Sequence, residues 1–179
     1  MENGRMTWTD YFMNVVDTIS QRSTCNRGKP GCIFVKDHQI LVTGYAGSPP
    51  GFPHCDDDGH QYELRAPLTK IAAEKYDANN RDFYLAEHSI HCVRTIHAEQ
   101  NAIAQAAKRG VSLDGSTCYV SITPCRTCSM LLIGVGVKLV VAKKQYHTAK
   151  ESIYMLHKAG IEILHLDDEI QKYSDLIRQ

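Results

Sequence analysis

Apolar side chains recur at Phe12, Val15, Val16 and Ile19, the i, i+3, i+4, i+7 spacing that puts one buried stripe on a helix. Thr7-Trp8-Thr9-Asp10 precedes that stripe with a capping hydroxyl and an early acid, so a helix begins there. It ends before Cys25-Asn26-Arg27-Gly28-Lys29-Pro30. The period then changes. Residues 32–35 and 40–43 are short β-rich runs joined by polar Lys36-Asp37-His38-Gln39, and they predict a hairpin. Residues 118–122, 137–142 and 161–164 predict three more strands. Helices are predicted over 98–109, 125–135 and 149–159, the first rich in alanine and stopped by Gly110 as a C-terminal cap. Strands alternating with helices predict an α/β fold, one sheet of about five strands covered on both faces. Residues 168–179 read as a short terminal helix.

The stretch 44–96 breaks this rhythm. It is too long and too polar for an ordinary connection, and segments of that kind tend to be functional or partly disordered. Gly44-Tyr45-Ala46-Gly47-Ser48-Pro49-Pro50-Gly51 is a backbone-rich loop whose N–H groups could cradle a phosphate, although glycine and proline alone also make a tight turn. Residues 66–76 could form an inserted helix with Pro67 in its first turn. No internal repeat interrupts the rest, so 1–179 reads as one domain with a long insertion at about 45–96.

Charge narrows the partners. Twenty basic and twenty acidic side chains cancel, and the basic residues occur only in short pairs such as Lys108-Arg109 and Lys143-Lys144. A protein that tracks a nucleic-acid backbone carries a basic surplus or stripe, so a small molecule is the expected partner and a nucleic-acid polymer is not. There is no apolar leader and no run long enough to cross a membrane. Seven cysteines in such a chain point to metal binding and free thiols in a reducing, cytoplasmic setting rather than to disulfides.

Two short motifs carry the chemistry. His97-Ala98-Glu99 opens the alanine-rich helix, and Pro124-Cys125-Arg126-Thr127-Cys128 opens the next. Cys125 and Cys128 are three residues apart and share a helix face, where the positive end of the dipole favours thiolates. His97, Cys125 and Cys128 are three protein ligands for one zinc, which leaves the fourth position open, the mark of a catalytic rather than a structural ion. Zinc lowers the pKa of water from about 15.7 to about 7. Glu99, two residues from His97, is not a ligand and is placed to move protons. The chemistry this fits is attack of hydroxide on an amino-bearing ring carbon with loss of ammonia.

The two motifs together match the H-x-E…P-C-x-x-C signature of zinc-dependent nucleobase deaminases. With Tyr11-Phe12-Met13, Arg22-Ser23-Thr24-Cys25, the loop 44–51 and the stretch 92–102 (Cys92-Val93-Arg94-Thr95-Ile96-His97-Ala98-Glu99-Gln100-Asn101-Ala102), the chain resembles deoxycytidylate deaminases of the cytidine deaminase superfamily from about Met6 to about Leu164. The resemblance implies a three-layer α/β/α fold on a central mixed sheet. It also implies conversion of dCMP to dUMP and ammonia in support of dTMP synthesis. A homo-oligomer, favouring a hexamer, is expected, activated by dCTP and inhibited by dTTP, with Mg2+ accompanying a triphosphate effector. It assigns zinc to His97, Cys125 and Cys128 and the proton shuttle to Glu99. Substrate or effector contacts fall on Arg22, Ser23, Tyr45, Ala46, Gly47, Ser48 and Tyr146.

Relatives commonly carry asparagine where this chain has Ala46, and alanine cannot hold a sugar hydroxyl. A modified cytidine nucleotide or a free nucleoside therefore stays open as substrate, as does, in another class, a zinc-stabilised nucleotide-binding module. Some members of the family hold a second, structural zinc. The matching positions here are Cys25, Cys55, His91 and Cys92, with His60 available to complete four ligands. Cys32 and Cys118 fall in predicted strands and read as small core residues.

Overall fold

The computed structural model describes residues 4–65, 89–146 and 149–171, with backbone alone for 62–65, 89–91 and 171. The first helix, α1 (Trp8–Ser20), starts as the sequence predicts: the Asp10 N–H donates to the Thr7 side-chain oxygen at 3.1 Å. Its buried stripe is Phe12, Met13 and Val16, with Val15 and Ile19 packed alongside. The hairpin β1 (Gly31–Lys36) and β2 (Gln39–Tyr45) turns at Asp37 and His38, both at positive φ (51° and 60°), the backbone of a tight two-residue hairpin turn. The Trp8 ring stacks on His38 at 4.2 Å and links helix to turn.

Three further strands and three helices complete the main layers: α3 (Ala98–Arg109), β5 (Thr117–Ile122), α4 (Arg126–Gly134), β6 (Leu139–Tyr146), α5 (Lys150–Lys158) and β7 (Glu162–His165). The sheet order is β2-β1-β5-β6-β7, antiparallel across β2-β1-β5 and parallel across β5-β6-β7. Alternate residues divide the core between two faces. Cys32, Phe34, Cys118, Val120, Val140 and Ala142 pack with Ala98, Ala102, Ala106, Leu132 and Leu156 of α3, α4 and α5. Ile33, Val35, Tyr119 and Val141 face the other way, onto Phe12, Met13 and Val16 of α1. The predicted three-layer α/β/α arrangement on a mixed sheet is therefore the one observed. Cys32 and Cys118 are core residues, fully buried.

Two expectations change. Residues 168–179 were expected to be helical, yet Ile170–Gln171 form a strand, β8, parallel to Gln145 and Tyr146. The cause is an unpaired edge: β6 runs on past its last pairing with β7, at Ala142↔His165, and its exposed backbone groups need partners. Gln145 N–H donates to the Glu169 carbonyl at 3.0 Å. Residues 172–179 lie outside the described residues. The polar stretch 45–96 is not a plain loop either. It holds a single-turn helix, α2 (Cys55–Asp58), and an antiparallel pair, β3 (Tyr62–Arg65) with β4 (Ser89–Cys92). The predicted helix at 66–76 lies outside the described residues.

Candidate metal centre and its cavity

Both motifs sit where a strand or loop hands over to a helix. His97 is the N-cap of α3 and Cys125 the N-cap of α4. The sequence placed Cys125 inside its helix; in the structure it is the residue before the first turn, following buried Pro124. Two helix N-termini thus converge. His97 N–H donates to Gln100 Oε1 at 2.9 Å, which fixes the turn. His97 Nδ1 lies 3.4 Å from Cys125 Sγ and 3.4 Å from Cys128 Sγ. Tetrahedral zinc with Zn–N of about 2.1 Å and Zn–S of about 2.3 Å would separate those donors by about 3.5 Å, so the donor set fits that ion. A hydrogen bond from the Cys128 thiol, followed by His97 and the Cys128 N–H, draws the Cys125 thiol down to about 3, and the partner thiol is pushed up in turn.

Glu99 stands in the first turn of α3 and is only 4% exposed. Burial raises its proton affinity above that of an ordinary glutamate, against the opposing pull of His97. It lines a cleft of about 680 Å3, measured out to its open mouth, together with His97 and Cys125. Val120, Ile122 and Thr123 contribute from the end of β5 and the turn after it, and Tyr146 from the end of β6.

A second cluster adjoins the same cleft. Cys25, Cys55, His60 and Cys92 bring their donor atoms within 4.8 Å of one another. Cys55 and Cys92 sulfurs are 3.5 Å apart, and Cys25 Sγ is 3.7 Å from His60 Nδ1. Four donors of this kind describe a closed, structural type of site. Two sulfurs accept backbone N–H groups from two residues ahead, Cys25 from Arg27 and Cys92 from Arg94. Burial opposes ionisation at both. It prevails at Cys25, but the N–H groups of Arg94 and Gln61 lower the Cys92 thiol. His91, an alternative ligand from sequence, is described in backbone alone, paired with Glu63. All seven cysteines are free of disulfides.

The remaining sequence candidates separate. Ala46 and Tyr146 line the cleft. Ser23 is buried and donates to the Ala46 and Cys25 carbonyls, so it clamps the loop. The N–H groups of Ala46 and Gly47 donate to the Pro30 and Ile96 carbonyls, so of the two readings of this loop, phosphate cradle or turn, these two groups are committed to holding the chain. Tyr45 holds Asn101 through its carbonyl, and Ser48 Oγ is buried. Arg22 is exposed at the end of α1 and is not among the cleft residues. The arginine that does line the cleft is Arg27, with Thr95 and Thr123 beside it in the lining. No local spacing marks Arg27, whose N–H donates to the sulfur of Cys25 two residues earlier.

Fold and site together define a class: an α/β/α domain whose open Cys2His donor set and buried carboxylate share one ligand cleft. The sequence pattern described as "Cytidine and deoxycytidylate deaminase zinc-binding region" matches residues 6–144. The chain belongs to the cytidine and deoxycytidylate deaminase family. It is 33% identical over 168 residues to ComE operon protein 2 of Bacillus subtilis, covering 93% of this chain and 76% of that one. It is 29% identical to deoxycytidylate deaminase of Saccharomyces cerevisiae over 89% of this chain, and spans 45% of that protein's length. Its structure resembles that of the cyanophage S-TIM5 dCMP deaminase in complex with dCMP and dUMP, with a TM-score of 0.65, 28% identity, and coverage of 90% and 99%.

Proposed function

We propose that this chain is a zinc-dependent deaminase that converts dCMP to dUMP and ammonia, which would supply dTMP synthesis. The observation that carries the reading is the pairing of an open His97–Cys125–Cys128 donor set with a buried Glu99 on the wall of a cleft. Relatives in yeast and a cyanophage bear the names deoxycytidylate deaminase and dCMP deaminase. His97, Cys125 and Cys128 would hold the zinc. Bound there, the ion supplies a Lewis acid that makes water nucleophilic at neutral pH. Glu99 Oε takes a proton from the attacking water, delivers it to the pyrimidine ring nitrogen, and serves again when the amine leaves as ammonia. Its burial suits this work, because the carboxyl that handles the proton is shielded from bulk water. Tyr146 and the Val120–Ile122 wall supply apolar surface for the base.

The second cluster, by the same reading, holds a structural zinc that pins the insertion to the main domain. A single domain over 1–179, a cytoplasmic setting and a homo-oligomer, hexamer favoured, belong to the proposal. So does control by dCTP and dTTP with Mg2+. Among the described residues, no helix is long and apolar enough to cross a membrane. Ammonia release across dCMP, CMP, dCTP, deoxycytidine and 5-substituted dCMP, each with and without dCTP and dTTP, tests the whole set. Turnover of dCMP above the others is expected. Preference for a 5-substituted compound would move the assignment to modified nucleotides, the alternative left open by Ala46.

A further inference from the structure

Thr123 follows the last residue of β5, where the chain turns into Pro124 and Cys125, and it is a polar residue only 3% exposed on the wall of the cleft. A buried hydroxyl needs partners, and this one has three. It accepts the Tyr146 N–H at 3.3 Å, and it faces two acceptors, the Lys144 carbonyl at 3.3 Å and His165 Nε2 at 2.9 Å. A hydroxyl carries one proton and donates it once. Hydroxyl donors work best at about 2.5–3.0 Å, so the proton goes to His165 and the two other contacts are the long, weak ones. That direction assigns the proton of a neutral imidazole to Nδ1. Burial favours the neutral ring, against the pull of Asp168 from the turn after β7. The two lysines of β6 are engaged elsewhere, Lys143 with Asp17 and Lys144 with Glu169.

The contact reaches across the sheet. β6 lies between β5 and β7, and His165 is the last β7 residue paired with it, opposite Ala142. The imidazole spans β6 to reach the turn after β5. There the Thr123 N–H donates to the Lys144 carbonyl at 3.0 Å. One threonine thus joins the ends of three strands, and its strongest side-chain tie is to the outermost of them. Two of the joined positions, Thr123 and Tyr146, line the cleft beside Ile122. His165 is not among the cleft residues, and proton transfer at Glu99 makes no use of it.

We propose that His165 is a positioning residue: by holding the Thr123 hydroxyl it sets the Thr123–Tyr146 wall on which the pyrimidine packs, and so governs affinity for the nucleoside portion of the ligand. The inference rests on the deaminase reading and deepens it by a residue outside the cleft lining.

The test is binding of deoxyuridine and dUMP to the zinc-loaded full chain by calorimetry, with zinc content and melting temperature recorded for each variant. His165→Leu removes the ring nitrogens and weakens both ligands by the same factor, about 2- to 10-fold, the worth of one buried neutral hydrogen bond. Thr123→Val, which keeps the shape without the hydroxyl, gives a similar loss. The double variant loses no more than either single one, because the two side chains act through one bond. His165→Gln, whose amide can stand where Nε2 stood, recovers part of the affinity. In dCMP turnover the His165→Leu loss falls on KM, with kcat within about twofold, since Glu99 and the donor set are untouched. Unchanged affinity in His165→Leu, a loss confined to dUMP, or losses that add in the double variant overturn the proposal. So does a fall in zinc content that accompanies the loss, because the effect then runs through the metal donors. If the wild-type protein binds neither ligand and deaminates no cytosine compound, the deaminase reading itself falls. That pattern differs from every variant-specific one.

Discussion

Glu99 is a carboxyl with almost no contact with solvent, two residues from the imidazole of His97, and that environment suits it to proton transfer. Glu99→Gln keeps the shape and the zinc but cannot carry the proton. Turnover should fall by about 10²–10⁴-fold with metal content unchanged, read by ammonia release and metal analysis on the same sample. Full activity in that variant would remove the shuttle. His165 offers a different test. Its Nε2 sits 2.9 Å from Thr123 Oγ1, behind the cleft wall, and burial holds its pKa below the usual histidine value, with Asp168 pulling the other way. The unfolded chain, with histidine near about 6.5, therefore binds more protons than the folded one just below that pH. This contribution is fully present above about pH 6.5 and is lost as the pH falls through the lowered folded value. The fall in denaturant midpoint from pH 7.5 to 5 should be smaller in His165→Gln than in the wild type. At this scale His97, Glu99, Cys125 and Cys128 were legible in the sequence, because each motif is local and a helix start fixes its geometry. Arg27 was not. It reaches the cleft through the tertiary placement of the turn after Cys25, and no local spacing announces that.

The elements were legible to the extent that one period governed them. Alternation in β1, β5 and β6 divides the core faithfully between two faces. The alanines of α3 mark a helix that approaches the sheet closely. Gly44 of β2 is the other half of that approach. A side chain there would run into the Ala98 carbonyl, the Ala102 N–H and the Ala102 methyl, mostly rigid backbone. Gly44→Ala should therefore destabilise the fold by about 1–3 kcal/mol or more, seen as a lower denaturant midpoint, although a sequence scale would score alanine as the better residue. A midpoint equal to that of the wild type would show that α3 can shift at little cost. What local pattern missed was β8. Its residues carry no strand signal of their own and are recruited by a neighbour with unpaired backbone.

Across the whole molecule, two donor sets at one cleft predict stoichiometry. Purified protein should carry about two zinc per chain, one with three protein ligands and one with four. Cys55→Ser should bring the count to about one and lower the melting temperature, since metal binding at a site absent from the unfolded chain is folding free energy. A wild-type ratio near one, insensitive to Cys55→Ser, would leave the cluster as three thiols and a histidine that hold no metal. The overall α/β/α class could be read from alternation of elements, and the family from its motifs. The insertion could not, because residues gathered around a cluster of three cysteines and a histidine leave no hydrophobic period to follow.

The two-residue splice of β8 onto the end of β6 has a consequence for observation. Tyr146 faces the cleft, yet its backbone is knitted to Gln171. A nucleotide settling against that ring should damp the breathing of a strand far along the chain. Hydrogen–deuterium exchange at residues 170–171 would then report occupancy of the cleft, slowing when dUMP is added and staying slow for as long as the ligand resides.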